Sequence, residues 1–97
     1  MTRATVYIVK CCDGSFYTGI THRDVEERVS GHNSGTYPGY TFLRRPVELV
    51  YSCDFDRSDE AIAWERQIKG WSRAKKQALI NGDFDALPKL ASRAKPR

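Results

Sequence analysis

An Asp13-Gly14 pair set between two strand-forming segments constrains this chain more than any other feature. Residues 6–11 and 16–21 are dominated by β-branched and aromatic side chains, which fit a pleated surface. Gly14 supplies the positive φ that hairpin turns demand. Two turn lengths are open. A two-residue turn pairs Cys12 with Ser15, places Tyr7 opposite Ile20 and sends Tyr7 and Tyr17 to opposite faces. A three-residue turn, with Gly14 left-handed in a bulge, pairs Cys11 with Ser15. Tyr7 then faces Gly19, Val9 faces Tyr17, and both phenols share one face; a Gly in third place suits this turn. Two phenols beside a bare Gly19 make a shallow polar floor. The plainer alternative is two packed tyrosines with their hydroxyls at the rim.

The 97 residues, 40% of them hydrophobic, suffice for one domain with one modest core, expected over residues 1–90. Phe84, Leu87 and Leu90 are expected to fold back on the body, and the basic tail 91–97 to fray. No apolar run is long enough to span a membrane, and the chain enters its first strand without a signal-peptide core. The expected address is the cytoplasm. Cys11, Cys12 and Cys53 form no C-x-x-C pair, so reduced thiols that partly fill the core are expected, with no disulfide or zinc site.

Charge is uneven. Residues 57–97 carry ten Lys/Arg against five Asp/Glu, whereas the rest carries six against seven. A basic C-terminal region points to a polyanion partner, most often nucleic acid; a merely solvated basic helix is the competing explanation.

After the hairpin, Thr21 or Asp24 caps a helix whose first turn is acidic, and Gly35 ends it. Val25, Arg28, Val29 and His32 share one stripe, so Arg28 and His32 lie on the apolar side. Either they snorkel and hydrogen-bond at the core edge, or they serve a site there. Residues 36–45 form a loop with Pro38-Gly39, two tyrosines and the adjacent Arg44 and Arg45. A third strand over residues 47–53 is expected to alternate Val47, Leu49 and Tyr51 against Glu48, Val50 and Ser52. Ser58 is the expected N-cap of a second helix, buried along Ala61, Trp64, Ile68 and Trp71. Glu65 leans toward its core side, and a pairing with Lys69 at i+4 explains it equally well. Gly70 interrupts, and Ser72 caps a last helix over residues 73–80, ended by Asn81-Gly82. Arg66, Lys69, Arg73 and Lys76 can line one basic face.

These residues include no Ser/Cys-His nucleophile pair, no phosphate-cradling Gly loop and no multi-His metal site. Two tyrosines, an inward arginine, a histidine and a helix-borne carboxylate suit phosphodiester chemistry.

The chain resembles the GIY-YIG nuclease superfamily, and most closely its small stand-alone bacterial members. Thr5-Val6-Tyr7 and Tyr17-Thr18-Gly19 resemble the two tyrosine motifs; Arg28 with His32, and Glu65, match the helix residues that follow them. His32-Asn33-Ser34-Gly35, Arg44-Arg45-Pro46-Val47 and Ile68-Lys69-Gly70-Trp71-Ser72-Arg73 add to the likeness. Thr5, Val6 and Thr18 depart from the motif at backbone positions. The resemblance implies an α+β fold, a three-stranded antiparallel sheet in β-β-α-β-α-α order flanked by helices. It implies divalent-metal-dependent DNA hydrolysis, with Glu65 holding Mg²⁺ or Mn²⁺ and Arg28 neutralising the phosphate. Tyr7 would act as base or water orienter, Tyr17 would bond water or phosphate, and His32 would assist the base or protonate the leaving group. Arg44, Arg45, Arg66, Lys69, Arg73 and Lys76 are the expected DNA contacts. A monomer or weak dimer without a small-molecule cofactor is expected. A binding module without catalysis and a protein-interaction domain are the competing readings.

Overall fold

The structure, a computed structural model, describes residues 3–83; the expected fold-back of Phe84, Leu87 and Leu90 and the tail 91–97 lie outside them. Three strands and three helices follow in the order β1 (Ala4–Lys10), β2 (Phe16–Thr21), α1 (Val25–Ser34), β3 (Glu48–Phe55), α2 (Ser58–Lys69) and α3 (Arg73–Asn81). A short 3-10 turn, Phe42–Arg44, interrupts the loop before β3. The strands form one antiparallel sheet in the order β2-β1-β3, so the α+β architecture is the expected one.

The hairpin takes the longer turn. Cys11 N–H donates to the Ser15 carbonyl and Gly14 N–H to the Cys11 carbonyl, with Gly14 at φ 87°. Tyr7 consequently pairs with Gly19 and Val9 with Tyr17. This register sorts the two sides of the sheet, because neighbouring side chains alternate. Tyr7, Val9 and Cys11 pack with Val47, Leu49, Val25 and Val29 beneath α1. Ala4, Val6 and Ile8 pack with Ala61, Ile68 and Leu79 of α2 and α3. Ile68 is fully buried; truncating it to Ala would cost about 2–5 kcal/mol.

Strand β3 departs from the simple alternation. A bulge opposite Ile8 and Val9 pairs Ile8 with Tyr51 but Val9 with Leu49, leaving Val50 as the extra residue. Val47 and Leu49 therefore share the α1-facing side, while Tyr51, expected on the same face as them, is carried to the α2 side. There its hydroxyl accepts from Trp64 Nε1 at 3.2 Å. The strand is also longer at its far end than the expected 47–53, because Asp54 and Phe55 pair with Thr5 and Ala4.

Local caps are as the residue types dictate, with one exception. Asp24 accepts from Glu27 N–H at the start of α1, and Gly35 closes it at φ 83°. Ser72 accepts from Lys75 N–H, and Gly82 ends α3 at φ 74°. Ser58 is not the cap of α2 but its first helical residue, with Arg57 in the cap position. Arg57 instead forks onto Asp59 at 3.1 and 2.8 Å, which anchors the acidic first turn. The three cysteines are free, and Cys11 is buried in the α1-side core.

Candidate active site

Strand β1 delivers Tyr7 to the α1 side of the sheet, where it is almost fully buried. Opposite it, Gly19 leaves room for the ring: a Cβ there would lie 2.5 Å from the Tyr7 hydroxyl. Helix α1 brings two partners from consecutive turns of one stripe. His32 Nε2 lies 2.9 Å from the Tyr7 hydroxyl, and Arg28 Nε donates to the same oxygen at 3.4 Å. Tyr17, two pairs along on β2, meets the His32 ring edge-on with centroids 5.6 Å apart. Four of the five expected catalytic side chains thus converge.

The electrostatics follow from burial. Tyr7 is raised above the usual phenol value by desolvation, against the pull of Arg28. His32 is lowered, first by burial and then by the Arg28 charge, so its neutral form is favoured. Burial pulls the Arg28 guanidinium down, but hydrogen bonds and charge from Tyr7 and Tyr37 more than offset it, and the cation is retained.

Glu65 comes from α2, on the other side of the sheet. Its side chain is only 12% exposed, and Lys69 Nζ sits 2.7 Å from Oε2. The i+4 partner is therefore real, but the carboxylate is buried instead of lying on the surface. Lys69 is raised first by its bond to Glu65. Among the described residues no three His, Cys, Asp or Glu side chains gather into a metal cluster. A lone carboxylate takes a hard divalent ion only when that ion keeps most of its waters.

The expected DNA contacts divide into two groups. Arg66, Lys69 and Arg73 are exposed, and Lys76 is half-buried and lowered, by burial first and then by neighbouring Lys69. Arg73 also lies 4.2 Å over the Phe16 ring. Arg44 and Arg45 are committed within the chain. Arg44 bonds Asp13 and the Tyr40 carbonyl and stacks on Tyr40; Arg45 bonds the Phe42 carbonyl and stacks on Phe42. Both hold the 36–45 loop in shape.

That loop contributes residues that sequence reasoning missed. Thr41 Oγ1 lies 2.8 Å from His32 Nδ1. Tyr37 packs edge-on against His32 at 5.1 Å and lies under the Arg28 guanidinium at 4.1 Å. Gly31 makes space for it, since a Cβ there would meet Tyr37 Cε2 at 2.5 Å. Tyr40 stacks on Tyr17 at 5.9 Å. Asn33 fixes α1 to the sheet, donating to the Val47 carbonyl at 3.0 Å and accepting from Val47 N–H at 2.7 Å.

Comparison with known proteins identifies the family. The model of the GIY-YIG catalytic domain matches residues 3–78. UPF0213 protein SSP2268 of Staphylococcus saprophyticus is 49% identical over 81 residues, covering 84% of this chain and 98% of that relative. The solution NMR structure of UPF0213 protein BH0048 from Bacillus halodurans aligns with a TM-score of 0.55 at 42% identity, over 82% of this chain and 84% of that one. That of EF2693 from E. faecalis aligns with a TM-score of 0.56 at 31% identity, over 100% and 95%. With the domain model spanning both tyrosine strands, α1 and α2, the chain belongs to the GIY-YIG nuclease family.

Proposed function

We propose that this protein is a small divalent-metal-dependent endonuclease that hydrolyses DNA phosphodiester bonds with low sequence specificity, in DNA processing or repair. The observation that carries the reading is the Tyr7 hydroxyl held between Arg28 and His32. A buried phenol with a raised pKa is a poor base alone. Coupled to a neutral imidazole it needs no free phenolate. The attacking water gives a proton to the Tyr7 oxygen as Tyr7 passes its own to His32 Nε2. The water oxygen bonds to phosphorus, and the leaving oxygen departs with the P–O electron pair and is protonated by solvent.

Arg28 keeps guanidinium N–H groups for the phosphate oxygens, and its charge offsets what develops there. Tyr17, half-buried beside His32, orients water or phosphate. Glu65 would hold Mg²⁺ or Mn²⁺, which supplies charge stabilisation at the scissile phosphate. Arg66, Lys69, Arg73 and Lys76 track the backbone, so affinity falls steeply with salt.

The Lys69 cation on Glu65 favours a second reading, a nucleic-acid-binding module with little catalysis. Labelled single- and double-stranded DNA incubated with wild type, Glu65→Ala and Arg28→Ala, with and without Mn²⁺, separates the two. Metal-dependent cleavage lost in both variants supports the nuclease. Binding that survives EDTA without any cleavage supports the module, and equal cleavage by all three refutes the assignment of this site.

A further inference from the structure

We propose that Thr41 is a positioning residue for the reaction: its hydroxyl fixes the His32 ring so that Nε2 faces Tyr7 as a proton acceptor. The inference rests on the endonuclease reading above and deepens it. Thr41 is 2% exposed, whereas its neighbours Tyr40 and Phe42 are 42% and 38% exposed. A polar residue turned inward between two outward aromatics reverses what apolar burial alone would select. The loop achieves this with a tight 3-10 turn, in which Phe42 N–H bonds the Gly39 carbonyl and Arg44 N–H the Thr41 carbonyl. Arg44 and Arg45 then clamp the turn through the Tyr40 and Phe42 carbonyls.

The donors present are compatible with this proton arrangement. A guanidinium only donates, so the Tyr7 oxygen is already an acceptor from Arg28. That leaves its own proton available for His32 Nε2, 2.9 Å away, which is the direction the proposal assigns. A neutral imidazole that accepts at Nε2 carries its proton at Nδ1, and Thr41 Oγ1 receives it at 2.8 Å. Tyr17 from β2 and Tyr37 from the loop meet the ring in edge-type contacts, and among the described residues neither offers a competing bond to a ring nitrogen. Among the described residues, only Thr41 bonds the ring nitrogen on the side away from Tyr7. Without it the ring is free to exchange tautomers or rotate, and Tyr7 loses its defined acceptor.

The test compares wild type, Thr41→Val and Thr41→Ser. The ¹⁵N resonances of His32 report the tautomer without any need for activity. Cleavage of a labelled oligonucleotide with Mn²⁺ gives kcat and KM. We expect one tautomer with the proton on Nδ1 in wild type and a mixed or reversed pattern in T41V. T41V should lose about tenfold or more in kcat with KM nearly unchanged, the scale of losing a hydrogen bond that orients a functional histidine. T41S should restore both readouts; if T41V does not fold, Thr41→Ala takes its place. An unchanged ¹⁵N pattern and kcat in T41V would overturn the proposal, as would a folded T41S that rescues neither. A wild type that cleaves nothing would refute the endonuclease reading alone, since the tautomer measurement still decides what Thr41 does.

Discussion

Adding one methyl group at Gly19 tests whether the placement of Tyr7 governs activity. The new Cβ of Gly19→Ala would lie 2.5 Å from the Tyr7 hydroxyl and 2.6 Å from Cζ. A comfortable separation is about 3.5 Å, so the ring must retreat by roughly 1 Å. It has no slack, because Tyr7 is 1% exposed and its oxygen is bonded to His32 at 2.9 Å. The displacement either stretches that bond beyond useful length or pushes β2 away from β1. Overpacking of this kind costs about 1–3 kcal/mol, or roughly 5–20 °C in melting temperature for a domain of this size. Misplacing a reacting group by 1 Å costs on the order of 100-fold in rate. The assay is kcat for metal-dependent DNA cleavage beside a thermal melt. G19A should lose far more activity than its stability loss explains at a temperature where it remains folded. Wild-type kcat in a folded G19A would refute the claim that the Tyr7 position controls the chemistry.

Two further outcomes follow from charge. Lys69→Met removes the cation from Glu65, so Mn²⁺ affinity measured without DNA by calorimetry should rise about fivefold, the equivalent of ~1 kcal/mol for a half-exposed pair. An unchanged affinity would mean that lysine and metal do not compete. His32 is lowered from its ordinary value of 6.5 by burial and by Arg28. Between that value and the lower folded-state value the unfolded chain binds more protons, so stability should be complete above pH 6.5 and fall as pH drops through the folded-state value. Melting temperatures across this range should show that loss in wild type and not in His32→Gln, and parallel profiles would contradict the assignment.

What could be read from the sequence was whatever short-range chemistry decides. Asp24, Gly35, Ser72 and Gly82 cap where their residue types say they should. Gly14 in third place selected one of two open registers, and with it the shared face of Tyr7 and Tyr17. Arg28 and His32 were legible because helical spacing put an arginine and a histidine on an apolar stripe. The bulge in β3 was not legible, since it arises from pairing across the sheet, and Tyr51 was assigned to the wrong face for that reason. The partners of Arg44 and Arg45 were likewise hidden. That these two adjacent arginines fold back onto Tyr40 and Phe42 depends on a turn with no local signature. Thr41 and Tyr37 reach His32 only because that loop doubles back, a contact with no local sequence signature.

The sheet order β2-β1-β3 puts Tyr7 on the one strand that is laddered on both flanks. Its backbone cannot fluctuate without opening two sets of bonds, so amide exchange at Tyr7 and Ile8 should require the deepest opening the domain undergoes. Tyr17 sits on a border strand, and Thr41 in a loop, so both belong to parts that can breathe at lower cost. Under the proposed function, the Tyr7 phenol is thus the fixed reference of the site, and accommodation of differently shaped DNA falls to the groups around it.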